Sequence, residues 1–154
     1  MSAYYLDTSA LVKRYIAETG TTWLSAITTP SARHDIYIAR IAGAELIAAL
    51  FRRVRMGEIN RPDALQLAAD FKTDWQTQYQ IVEITVNLID RAMALAEQHN
   101  LRGYDAVQLA AALELQSVRN TLTLPPLVFI AADNALNTIA QIEGLQVDDP
   151  NDHI

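Results

Sequence analysis

Apolar residues follow two alternating rhythms along this chain. Short runs rich in β-formers recur at Tyr4-Tyr5-Leu6, Ile36-Tyr37-Ile38-Ala39-Arg40-Ile41, Ile81-Val82-Glu83-Ile84 and Leu127-Val128-Phe129-Ile130-Ala131. Their length and composition predict buried strands, with Gly144-Leu145-Gln146-Val147 as a short edge strand. Between them the apolar positions fall three and four apart, which predicts helices. These cover Ala10 to Tyr15, Thr21 to Leu24, Gly43 to Arg55, Arg61 to Gln78, Leu88 to Gln98, Tyr104 to Ser117 and Asp133 to Ile142. Pro30 and Gly57 mark breaks, and Pro62 opens the long fourth helix. Leu46, Ala49, Leu50 and Val54 share one helical face, and Leu65, Ala68, Ala69 and Trp75 are the expected inner positions of the next. Strands alternating with helices call for an α/β fold with a mostly parallel sheet covered on both faces. Residues 1–148 read as one domain and 149–154 as a polar C-terminal tail; Asp148 and Asp149, where the two meet, are expected to be solvated.

Composition narrows the chemistry. The chain has 154 residues, about half of them apolar, enough for a substantial core. It contains no cysteine, so thiolate metal sites and disulfides are excluded. The N-terminal segment lacks the basic stretch and apolar run of a signal peptide, and no apolar run reaches membrane-spanning length, so a cytoplasmic protein is expected. The net charge of −6 disfavours non-specific nucleic-acid binding, although a local basic face remains compatible with it. His34, His99 and His153 have no zinc-pair spacing and are expected on the surface or in loops. Isolated aromatics such as Trp23, Trp75 and the tyrosines are expected in cores or interfaces before base stacking.

Four acids stand where chemistry is expected. Ligands on parallel sheets bind beyond the carboxyl ends of the strands. Asp7 and Asp133 lie where strands hand over to helices, Glu45 in the first turn of the helix after the second strand, and Asp105 in the first turn of its own helix. Each has a plain alternative: Asp7 and Asp133 as helix caps, Glu45 as a dipole partner. Asp105 fits that alternative least, because its helix is apolar almost all round and buried carboxylates need a partner. Carboxylates about 5 Å apart repel by roughly 3 kcal/mol per pair at an effective dielectric near 20. A hard divalent ion removes that repulsion, and an all-oxygen donor set favours Mg²⁺ or Mn²⁺. Thr8 and Ser9 are candidates to support a carboxylate or a phosphate, with capping as the simpler role. Lys13, Arg14, Arg40 and Arg102 are candidates to contact an anionic ligand; Arg52, Arg53 and Arg55 are candidates too, but read more simply as a solvated helix end.

The motifs around these acids resemble those of the PIN-domain superfamily, particularly the VapC-type toxins. Tyr5-Leu6-Asp7-Thr8-Ser9-Ala10-Leu11-Val12-Lys13 looks like the opening motif and Gly43-Ala44-Glu45-Leu46 like the second. Leu101-Arg102-Gly103-Tyr104-Asp105-Ala106-Val107-Gln108-Leu109, the most specific, is similar to the third. Phe129-Ile130-Ala131-Ala132-Asp133-Asn134-Ala135-Leu136 is similar to the fourth. The resemblance spans nearly the whole chain. It implies a three-layer α/β/α fold and Mg²⁺- or Mn²⁺-dependent endoribonuclease activity giving 5′-phosphate and 3′-hydroxyl ends. It further implies a homodimer, with the helices over 43–78 as one candidate face, and an antitoxin partner that occludes the site. Ala39 and Ala42 stand where many relatives carry Ser or Thr, which predicts weaker hydrogen bonding around Glu45. Asn134 stands where a basic residue is common.

Two other functions compete. A phosphotransferase using Asp7 as nucleophile lacks a second aspartate at Ser9, where dehalogenase-type phosphatases need one. A catalytically silent PIN-like scaffold, binding RNA or protein, would retain the fold without a metal site.

Overall fold

Strand β1 (Ala3–Leu6) alternates its side chains across the sheet. Ala3 and Tyr5 enter one apolar core and Leu6 enters the other. A strand buried on both faces must be central, and β1 is. The computed structural model describes residues 1–154 and places β1 in a five-stranded sheet of order β3-β2-β1-β4-β5. Its neighbours are β2 (Asp35–Ala39) and β4 (Leu127–Ile130), flanked by β3 (Gln80–Val82) and β5 (Gln146–Asp148). Every pairing is parallel.

Seven helices cover the sheet. The first core joins Tyr5, Leu127 and Phe129 to Leu88, Ala92 and Leu95 of α5 (Val86–His99), to α6 (Gly103–Thr121) and to α7 (Asn134–Ile142). Tyr5 and Phe129 stack there, with ring centroids 5.7 Å apart. The second core joins Leu6, Ile36, Ile38 and Ile130 to α1 (Thr8–Tyr15), α2 (Thr21–Thr28), α3 (Arg40–Arg55) and α4 (Arg61–Thr77). This is the three-layer α/β/α arrangement expected from the alternation of elements.

Three details differ from expectation. Strand β2 ends at Ala39 and α3 begins at once with Arg40, so Glu45 lies in the second turn of α3 rather than the first. Ile41 has a β-former's side chain, but here it belongs to the helix and packs against the first core. On α4 the buried stripe is Ala64, Ala68 and Phe71, with Leu65 half exposed and Ala69 outside. Ala68 is buried as expected and Trp75 packs against the second core, while Ala64 and Phe71 take the inner places expected of Leu65 and Ala69.

The C-terminal residues also depart from the solvated tail. Residues Pro150–Asp152 form a 3-10 turn that Asp149 caps through Asn151 N (2.8 Å), and Asp149 is buried. His153 bonds to Asp148 Oδ1 (2.8 Å) and stacks face to face on Trp23 at 3.9 Å. Hydrogen bonding within this segment satisfies the acids that its composition alone left facing water.

Candidate active site

The strand order reverses direction at β1, whose neighbours β2 and β4 lie on opposite sides. The crevice beyond the carboxyl ends of such strands is where ligands bind. Asp7 follows β1 directly and Asp133 lies three residues beyond β4, so the two bracket that crevice. The β2–α3 junction brings Glu45 in from one side, and the start of α6 brings in Asp105.

Asp7 serves as the N-cap of α1 and is almost wholly buried. Its Oδ2 accepts from Ser9 N (3.2 Å) and from Ser9 Oγ (2.6 Å). Ser9 Oγ in turn accepts from Ala132 N (2.9 Å), tying the loop after β4 to Asp7. Burial lifts the Asp7 carboxyl from its ordinary 3.8 to about 6; the Ser9 hydrogen bonds oppose the shift, and the charges of Asp105 and Glu45 add to it. Glu45 is likewise raised, first by burial, with Asp105 adding. Tyr5, beneath them, is raised by burial and then by Asp7 and Glu45. Asp7, Glu45 and Asp105 therefore share one field. Asp133 stands apart, with its Oδ1 accepting from Leu136 N at 3.0 Å as the cap of α7.

Glu45 is held by residues from two other elements. Its Oε1 accepts from Thr8 Oγ1 (3.1 Å) and from Gln108 Nε2 (2.9 Å). Gln108 also donates to Thr8 Oγ1 (3.0 Å) and accepts from the buried Tyr5 hydroxyl (2.6 Å). The hydrogen bonding that Ala39 and Ala42 cannot offer is thus supplied by Thr8 and Gln108. Sequence reasoning does not single out Gln108. The available signal is an amide amid the apolar run Ala106 to Leu113, where a buried polar side chain must find partners.

This relay makes a quantitative prediction. Gln108→Leu strands the Tyr5 hydroxyl and should destabilise the fold by about 1–3 kcal/mol. Adding Tyr5→Phe removes the stranded group, so urea denaturation of the double variant should recover part of the loss. Strictly additive losses would refute the relay.

The cations sit differently from expectation. Lys13 is buried and pairs with Glu18 (3.4 Å). Arg14 donates to Tyr79 Oη (2.6 Å) and lies 3.7 Å from Asp74. Arg40 pairs with Glu83 on the surface, and Arg102 Nε lies 3.2 Å from Asp105 Oδ2. All four predicted contacts therefore already have carboxylate partners. Arg52 and Arg55 make no ion pair; they line a cleft of about 530 Å³ together with Thr8, Glu45 and Tyr104. A smaller hollow of about 250 Å³ adjoins it across Ala49 and Arg52 and reaches Ser9, Lys13, Ala132 and Asn151.

The donor set suits a hard cation. Its side chains offer carboxylate and hydroxyl oxygen, and the mutual repulsion among Asp7, Glu45 and Asp105 would be relieved by positive charge. No three of the chain's acidic or histidine side chains gather closely enough to form a cage by themselves. Mg²⁺ does not need one, since it keeps several waters and commonly takes one or two carboxylates plus substrate phosphate.

Comparison with known proteins gives the family. The PIN domain family model matches residues 4–140. Two Mycobacterium tuberculosis proteins, Ribonuclease VapC45 and Ribonuclease VapC49, are each 32% identical over 147 residues, covering 96% of this chain and 95% of theirs. Among solved structures, a Pyrobaculum aerophilum protein superposes with a TM-score of 0.65 at 17% identity, covering 98% of this chain and 91% of that one. The VapBC2 structure of Rickettsia felis, bound to a promoter DNA fragment, gives 0.60 at 14% identity, covering 96% and 98%. A toxin–antitoxin complex of Klebsiella pneumoniae gives 0.60 at 18% identity, covering 97% and 98%. With the family model matched over most of its length and full-length VapC ribonucleases as relatives, this chain belongs to the PIN-domain family.

Proposed function

We propose that this chain is a divalent-metal-dependent endoribonuclease and the toxin of a toxin–antitoxin pair. The observation that carries the reading is the shared field of Asp7, Glu45 and Asp105 at the carboxyl edge of the sheet. The full-length relatives named as VapC ribonucleases support it.

In this reading Asp7 and Asp105 are the principal ligands of Mg²⁺ or Mn²⁺, and Glu45 and Asp133 complete the shell through water or a second ion. When bound, the ion lowers the pKa of water and offsets charge developing on the phosphate. The protein's own residues do the positioning. Ser9 fixes the Asp7 carboxylate, and Thr8 with Gln108 fixes Glu45. Orientation fixed in advance leaves the chemical step little reorganisation to do. Water adds to phosphorus, the bond to the 3′ oxygen breaks, and 5′-phosphate and 3′-hydroxyl ends result.

The site is fed by a cleft, which suits a polymeric substrate. The same reading includes a cognate antitoxin, a homodimer and a cytoplasmic location. Two of the structural relatives are toxin–antitoxin assemblies, and no helix of this chain is long and apolar enough to cross a membrane. The test is incubation of the purified protein with structured RNAs in Mn²⁺. Cleavage that chelator abolishes is expected; RNA left intact under both conditions would favour the silent scaffold.

A further inference from the structure

Helix α7 buries Leu136, Asn137 and Ala140, and the middle one of these is polar. Asn137 is only 7% exposed, and asparagine inside a helix is less favourable than leucine. Its Oδ1 is buried with no hydrogen-bond partner, a second unfavourable contribution. Against both stands a single bond, from Asn137 Nδ2 to the Ala131 carbonyl oxygen (2.8 Å). Ala131 follows β4, and its carbonyl forms one planar peptide group with the Ala132 N–H. The group is trans, so its oxygen and hydrogen point to opposite sides. On one side Asn137 holds the oxygen. On the other the N–H donates to Ser9 Oγ (2.9 Å), which itself donates to Asp7 Oδ2 (2.6 Å).

From this geometry we infer that Asn137 is a positioning residue of the active site. Its amide holds the Ala131–Ala132 peptide plane, the plane holds the Ser9 hydroxyl, and the hydroxyl holds the Asp7 carboxylate. Groups bonded in series also polarise one another. A donor on the carbonyl draws charge from the peptide nitrogen and makes its N–H a stronger donor to Ser9. With that bond accepted, the Ser9 hydroxyl proton is left directed at Asp7. The inference rests on the reading of Asp7 as a metal ligand, whose affinity such outer partners tune. Helix α7 then serves the site twice. Asp133 stands at its start, and Asn137, one turn on, reaches back to the end of β4. The sequence shows a polar residue on the inner face of α7 but not the peptide plane that it meets.

The test is a double-mutant cycle in the full chain, with Asn137→Leu, Ser9→Ala and the two combined. Calorimetric titration with Mn²⁺ gives metal affinity, and NMR hydrogen exchange of the metal-free protein gives the protection of the Ala132 amide. Asn137→Leu should weaken Mn²⁺ binding by about fivefold, the worth of one hydrogen bond. Exchange at Ala132 should quicken by about the same factor, beyond any change at a core amide of α5 such as Ala92. In the Ser9→Ala background the chain is already cut, so Asn137→Leu should add no further loss to either. A merely structural role would lower both equally with or without the Ser9 hydroxyl. Asn137→Ala, a better helix former, takes the place of Asn137→Leu if the larger side chain prevents folding. Additive losses, an unchanged Mn²⁺ affinity or unchanged Ala132 exchange in the Asn137 variant overturns the inference. A wild type that binds no Mn²⁺ sinks the metal reading alone, and Ala132 exchange across the cycle then decides on Asn137.

Discussion

Asp7→Asn should abolish RNA cleavage and at the same time make the metal-free protein more stable at neutral pH. The loss of activity follows from removing a principal ligand, which forfeits several kcal/mol of charge stabilisation and lowers the rate by roughly a thousandfold or more. The gain in stability follows from burial. The folded state holds the Asp7 carboxyl at about 6 against an ordinary 3.8, so between those values the folded chain binds more protons than the unfolded one. The contribution of Asp7 to stability is therefore most favourable below about pH 4 and falls as pH rises to about 6. The full difference is about 3 kcal/mol. Asn keeps an oxygen that can accept from Ser9 while removing the buried charge. Urea denaturation in chelator should show Asp7→Asn more stable than wild type at pH 7.5, with the gap closing towards pH 4. A variant less stable than wild type at pH 7.5 would contradict the placement of Asp7 in an uncompensated acidic pocket.

Gly20→Ala should destabilise the fold by about 3 kcal/mol without touching the carboxylates. Gly20 precedes α2 with φ +87°, a conformation that costs an L-residue about 1–2 kcal/mol. It also faces the C-terminal turn: a Cβ there would lie 2.2 Å from the Pro150 carbonyl oxygen. Backbone cannot rotate away as a flexible side chain can, so overpacking adds a further 1–3 kcal/mol or so. Gly57, with φ +74° and open space within 4 Å of where a Cβ would stand, is the control. Gly57→Ala should show the conformational part alone. Equal losses at the two sites would mean that the C-terminal turn does not pack against Gly20 in solution. A larger loss at Gly20 would place residues 149–154 within the folded unit, beside the hollow that Asn151 lines.

Much of the candidate site is legible in the chain because acids interrupting apolar segments are conspicuous. Asp7 ends a short apolar run, and Asp105 opens a helix with no other charge before Glu114. The spatial relations among such residues are less accessible. The sequence puts Glu45 in the first helical turn because β-branched and aromatic residues make the second strand look longer than the pairing allows; β2 pairs only to Ala39. Gln108 is inconspicuous because its meaning lies in Tyr5, 103 positions away, and in Glu45. Arg52 and Arg55 are exposed in the last turn of α3, as a solvated helix end requires. Helical periodicity shows which residues share a face but not what that face meets, and so does not show the cleft that they line. Lys13 and Arg14 look free because Glu18, Tyr79 and Asp74 approach them only in the folded chain.

Calorimetric titration of the metal-free protein with Mn²⁺, alongside Asp105→Asn, puts the convergence of the acids directly to the test. A saturable site is expected in the wild type at pH 7.5, absent from the variant, and weakening by about tenfold per unit as pH falls below about 6, where Asp7 takes up a proton. Equal binding by both proteins, or no saturable site in either, would mean that these carboxylates do not act together on one ion.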